Sequence, residues 1–154
     1  MKLVDIIHPS RICTDLKSKG KMDVLAELGE LLAEQGDDAK IQSITKTLVD
    51  RERLATTGVG HGVAIPHGKI EGLKSIVAAV GISRTGVPFD AVDDKAVHIF
   101  IALIAPLNSS GDHLRFLARI SRLLKSPDIR ARFIEAHDAE ELFDMIDVED
   151  GKHS

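Results

Sequence analysis

One histidine stands between a proline and a glycine, Pro66-His67-Gly68, at the end of the segment GVGHGVAIPHGK that spans residues 58–69. Glycines at 58, 60 and 62 permit backbone conformations and close approaches that side chains forbid, and Pro66 fixes one dihedral just before the ring. An imidazole on such a platform can act as nucleophile, proton carrier or ligand, or it can simply be a loop histidine bonded to a carbonyl. Arg51, at the end of a helical stretch, is separated from the segment by a few residues and can reach it. His113 falls in the first turn of another helix, where the dipole disfavours the imidazolium and favours a neutral, hydrogen-bonding ring.

The other candidates carry less. The chain has seven histidines, but no His-Glu-x-x-His pair or comparable local register, which argues against a catalytic metal. The Gly58-x-Gly60-x-Gly62 pattern lacks the lysine and hydroxyl of a nucleotide-binding loop and does not open a helix. Its uncovered amides can still approach an anion closely. His61 receives no role. His98 lies within an apolar strand and reads as structural, while His8, His137 and His153 sit near turns or termini. Arg119, Arg122, Arg130 and Arg132 are most simply a solvated face, with docking of an acidic partner as the alternative.

The elements that must hold these residues follow from periodicity. Residues 1–20 read as a short strand or extended lead-in. A helix over 21–35 shows Met22, Leu25, Leu28, Leu31 and Leu32 on one stripe, with Gly36 expected as its left-handed stop. A second helix over 39–53, capped by Asp37 or Asp38, buries Ile41, Ile44 and Leu48. Residues 75–83 and 97–104 are continuously apolar strands, which implies a sheet covered on both faces, and 84–88 has turn chemistry. Residues 108–111 read as a loop into a helix over 112–125 that faces the core with Leu114, Leu117, Ala118, Ser121 and Leu124. Ser126-Pro127-Asp128 opens a further helix, and Asp138 to Glu141 opens the last, which buries Leu142, Met145 and Ile146. The tail from Glu149 reads as polar and frayed. The expected architecture is α+β with α/β-like layers: a small mixed sheet of about five strands between helices on both faces. One domain is expected over 1–154, with its core over about 3–147.

Composition bounds the function. A net charge of −4, with neither tryptophan nor tyrosine, argues against nucleic-acid binding. The single Cys13 allows no intrachain disulfide. No stretch has the roughly 18 apolar residues of a membrane span, and the first residues lack a signal-peptide pattern. The expected location is the cytoplasm.

At Arg51-Glu52, Thr57-Gly58, residues 62–69 (GVAIPHGK) and His113-Leu114, the sequence closely resembles the enzyme IIA domains of the bacterial phosphoenolpyruvate-dependent phosphotransferase system, fructose/mannitol type. The Ala-Ile-Pro-His-Gly-Lys form looks most like the nitrogen-regulatory subgroup. The resemblance implies that His67 is phosphorylated by a histidine-containing phosphocarrier protein, with Arg51 stabilising the phosphate and His113 lending a hydrogen bond. It implies a labile N–P bond suited to a relay, and no metal or cofactor. It also implies partners downstream: regulatory targets such as sensor kinases or potassium transporters, or an enzyme IIB if the role is sugar transport. A third reading, a binding module that docks an anionic partner without covalent chemistry, stays open on the residues alone.

Overall fold

The computed structural model describes residues 2–34 and 36–152; His153 lies outside them. The chain enters through two 3₁₀ turns, Leu3–Asp5 and Pro9–Arg11, and reaches the sheet only in the two-residue strand β1, Ile12–Cys13. The expected extended lead-in is therefore mostly turns. Leu3, Ile6 and Ile7 are all buried, and a spacing of three and four gathers them on one face of a tight turn, where a period of two would split them.

Helix α1, Lys21–Ala33, buries Val24, Leu25, Leu28 and Leu32. Met22 is exposed instead. The left-handed residue at its end is Glu34 (φ 55°) and not Gly36. Tertiary bonds hold Glu34 there: its carboxylate meets Arg11 at 2.8 Å and Ser10 Oγ at 2.8 Å. Helix α2, Asp38–Glu52, is capped as expected by Asp37, whose carboxylate accepts from Lys40 N.

The glycine-rich segment is no loop. It contributes three short strands, β2 (Gly58–Gly60), β3 (Val63–Ala64) and β4 (His67–Lys69). β2 and β3 form a hairpin in which Gly60 faces Val63, so His61 and Gly62 are its two central residues. Both have positive φ, 59° and 76°, the hand that matches the twist of the flanking strands. Gly62, with Gly60 (φ 97°) before it, thus serves a tight turn.

Strand β5, Val77–Val87, runs straight through the expected turn at 84–88, and the pairing with its neighbour shifts between Ile82 and Val87. Gly86 (φ 87°) makes the irregularity possible, with its amide donating to Ser83 Oγ. Strand β6, Val97–Ala105, is followed by α3 (Ser110–Leu123), α4 (Pro127–Ile134) and α5 (Ala139–Gly151). Ser126 Oγ and the Asp138 carboxylate cap the last two helices as their sequences predict.

The sheet is mixed and six-stranded, in the order β1-β5-β6-β3-β2, with β4 also beside β6. On β6, Ile99, Ile101 and Leu103 pack toward α3, α4 and α5. Phe100, Ala102 and Ile104 pack toward α1 and α2. Both faces are covered, which is why β6 shows no alternation of polar and apolar residues. The buried stripe of α3 differs in part from expectation: His113, Phe116, Ile120 and Leu123 face inward, with Leu124 just past the helix end buried and Leu117 partly buried as expected, while Leu114 is 66% exposed and Ala118 and Ser121 are exposed as well. Two interleaved 3.6-residue registers compete on this helix, and the packed one carries the larger Phe116 and Ile120 inward.

Candidate functional site

Pro66 interrupts a strand without displacing it. Val63 pairs with Ile99, Ala64 with Phe100, and His67 with Leu103, so the same offset of 36 residues runs through β3 and β4. Proline donates nothing, but its carbonyl accepts from Leu103 N at 2.9 Å. His67 is thereby set on a parallel strand beside the central strand of the sheet.

His67 is half-buried, and its Nδ1 lies 2.8 Å from the Ile65 carbonyl. A carbonyl only accepts, so Nδ1 carries the proton and Nε2 keeps its lone pair. Burial lowers the His67 pKa from its ordinary value. The bond to Ile65 opposes that shift, and the nearby Arg51 charge adds to it. The ring is neutral near pH 7, with its lone pair on Nε2.

Two helices close on this ring. A Cβ added at Gly68 would sit 2.6 Å from Thr47 Cγ2, so glycine at this position is what lets α2 pack against β4. One turn further along α2, Arg51 lines the same open cleft as His67, together with Leu54, Lys69 and His113. Its Nη1 donates to the Ala55 carbonyl at 3.0 Å, which orients the guanidinium. His113 arrives from the first turn of α3 with its ring edge-on to His67, at a centroid distance of 5.3 Å and an interplanar angle of 70°. It is buried, and its Nε2 has no hydrogen-bond partner among the described residues. Burial first, then the His67 and Lys69 charges, push its pKa down to about 4. It is a neutral ring at pH 7.

The three predicted site residues thus converge. His61 does not join them, being the exposed turn of the β2–β3 hairpin with its amide on Asp93 Oδ2. His98 is half-buried with Nδ1 2.9 Å from the Ser83 carbonyl, consistent with a structural histidine. Sequence reasoning gave no role to Lys69 or to the exposed Leu54, which line the cleft with the histidines. Among the described residues, no three His, Cys, Asp or Glu side chains cluster closely enough to hold a metal ion, and no helix is long and apolar enough to cross a membrane.

The mixed sheet covered on both faces by helices fits the enzyme IIA fold that the sequence resembles. The chain belongs to the family described as "Phosphoenolpyruvate-dependent sugar phosphotransferase system, EIIA 2", whose model matches residues 5–148. Within that family it is similar over nearly its whole length to nitrogen regulatory proteins. It is 34% identical to the one from Bradyrhizobium diazoefficiens, over 95% of both chains. The crystal structure of the nitrogen regulatory protein IIA-Ntr from Neisseria meningitidis shares its fold with a TM-score of 0.86 and 32% identity, over 94% of this chain and 98% of that one. A sugar-specific relative is also similar: the fructose-specific EIIABC component of Bacillus subtilis is 29% identical over 97% of this chain and 24% of its own length.

Proposed function

We propose that the protein is a phosphoryl-accepting and -relaying IIA of the regulatory type, with His67 as the phosphorylated residue. The observation that carries this is the bond from His67 Nδ1 to the Ile65 carbonyl, which leaves Nε2 as a lone-pair nitrogen in a cleft shared with Arg51 and His113. The donor is a phosphohistidine of a carrier protein. Nε2 attacks its phosphorus, the new N–P bond forms as the carrier's N–P bond breaks, and the bonding pair returns to the carrier's imidazole. The His67 ring gains positive character as it shares its pair, and the Ile65 carbonyl stabilises that charge while Nδ1 keeps its proton.

The transition state spreads charge over three equatorial oxygens, so catalysis is positioning and electrostatics. Arg51 neutralises the oxygens, and His113 donates a hydrogen bond through Nε2 when that nitrogen holds the ring's single proton. Leu54, 82% exposed and part of the cleft wall, gives incoming proteins an apolar contact at the rim. The phosphoryl group, worth roughly −1.5 to −2 charges at pH 7, then changes how regulatory targets dock on that rim. Sensor kinases or potassium transporters are the targets that this reading favours, with the cytoplasm as the location.

The similarity to a fructose-specific relative favours a second reading, in which phosphate passes on to a sugar-specific IIB. Incubation with enzyme I, carrier and labelled phosphoenolpyruvate tests the first step. Acid-labile label appears on the wild-type chain and is absent from His67→Ala; label that survives the substitution sinks the assignment. Rapid transfer from the labelled protein to a IIB decides for sugar transport. A chain that takes no label yet binds its targets equally as His67→Ala and His67→Asp is a non-covalent module.

A further inference from the structure

The buried carboxylate of Glu52 sits at the wrong end of its helix. It is the last residue of α2, where the helix dipole disfavours negative charge, and its partner Lys21 is the first residue of α1, where the dipole disfavours positive charge. Two local preferences are overridden at once, and such conflicts between local and global demands concentrate at functional sites. Lys21 Nζ lies 3.2 Å from Glu52 Oε1, and the Glu52 side chain is 1% exposed. The ammonium also stands 4.7 Å over the Phe89 ring, so its orientation is held from a second side.

What the carboxylate grips is Thr57, the residue that leads into the β2–β3 hairpin. Thr57 N donates to Oε1 at 2.8 Å, and Thr57 Oγ1 donates to Oε2 at 2.6 Å. The Thr57 carbonyl in turn accepts from Ile65 N at 3.0 Å, and the Ile65 carbonyl accepts from His67 Nδ1 at 2.8 Å. A continuous line of hydrogen bonds therefore runs from Glu52 through two buried residues to the ring. The same carboxylate pins the end of α2 that carries Arg51.

We propose that Glu52, with Lys21 as its counter-ion, is a positioning residue that holds His67 in its Nδ1–H tautomer through Thr57 and Ile65 while fixing the α2 terminus beside it. This deepens the phosphoryl-relay reading and rests on it for the kinetic part. Glu52 touches no phosphate and works only through its neighbours.

The test uses the full chain with Glu52→Gln, and Thr57→Val as the milder variant that removes one donor and leaves the carboxylate pair intact. Two quantities are read on folded protein: the rate and KM of phosphorylation by the carrier, and the His67 ring ¹⁵N signals of the unphosphorylated chain. A rate lowered by about tenfold to a hundredfold at unchanged KM is expected, as for a displaced reacting group. The ¹⁵N signals should shift from one Nδ1–H tautomer to a mixture. A folded variant with wild-type rate, or with the wild-type tautomer, overturns the proposal. If Glu52→Gln does not fold, Thr57→Val decides by the same two readings. If the wild-type chain accepts no phosphate, the relay reading fails by itself, and the tautomer alone decides whether Glu52 positions the ring.

Discussion

At the scale of single residues, the site is built from neutral imidazoles whose protonation is suppressed by burial. Unfolded, His113 takes a proton below its ordinary value of 6.5; folded, it resists one down to about 4. Its contribution to stability is therefore complete above pH 6.5 and is lost as pH falls toward 4, because the unfolded chain then binds the extra proton. The stability difference between wild type and His113→Gln, measured by denaturant melts at several pH values, should shrink across that window. His67 is shifted in the same direction, so the phosphorylation rate should fall to half only below pH 6.5. A rate that drops by half already at pH 6.5 would mean an unshifted ring. The bond that leaves Nε2 with the lone pair was not legible in the sequence. It depends on the Ile65 carbonyl turning toward a ring two residues later.

At the scale of elements, the central contact is α2 against β4. Gly68 in the Pro-His-Gly motif reads from sequence as a flexible flank. In the structure it is a gap for Thr47 Cγ2, and this packing brings Arg51 to the histidine. Gly68→Ala forces the methyl groups together and should destabilise the fold by about 2 kcal/mol, the usual size for overpacking a tight interface, while slowing phosphorylation. Thr47→Ser removes that methyl and keeps the hydroxyl that donates to the Ser43 carbonyl at 3.0 Å. Added to Gly68→Ala, it should restore most of both losses in melting temperature and labelling rate. A double variant no better than Gly68→Ala would place the role of Gly68 elsewhere. The strongly patterned helices and the two apolar strands were readable in advance. The three strands within residues 58–69 were not, since two or three glycine-rich residues carry no period and become strands only because β6 offers them partners.

At the scale of the whole molecule, the two ends of the chain are fastened together. The Asp150 carboxylate is buried, accepts from Leu3 N at 2.8 Å and pairs with Arg119 on α3. Glu149 beside it pairs with Arg132 at 3.3 Å and Lys152 at 3.1 Å. The polar stretch expected to fray from Glu149 is, through Gly151, the last turn of α5. Asp150→Ala strands both the amide and the guanidinium, and breaking such a buried pair costs about 3 kcal/mol. Chemical denaturation should show that loss, while phosphorylation of the folded fraction should be unaffected, because the lock lies away from the cleft. A loss under 1 kcal/mol would mean that water replaces the carboxylate. Arg119 and Arg132, read from sequence as a solvated face, belong to this lock: charge spacing along a helix says nothing about which acids arrive from elsewhere.

The sequence by itself determined the layers and the residue types of the site. Helical and strand periodicities are local, and a histidine between proline and glycine is visible without any partner. The motifs around Arg51, His67 and His113 also sufficed to place the chain in its family. Only the tertiary structure decided which face of α3 is buried, which nitrogen of His67 is free, and what the charges of Lys21, Glu52, Arg119 and Asp150 are for. Each of those depends on contacts between segments tens of residues apart, and the energies that settle them, buried hydrogen bonds and ion pairs, exist only once the segments have met.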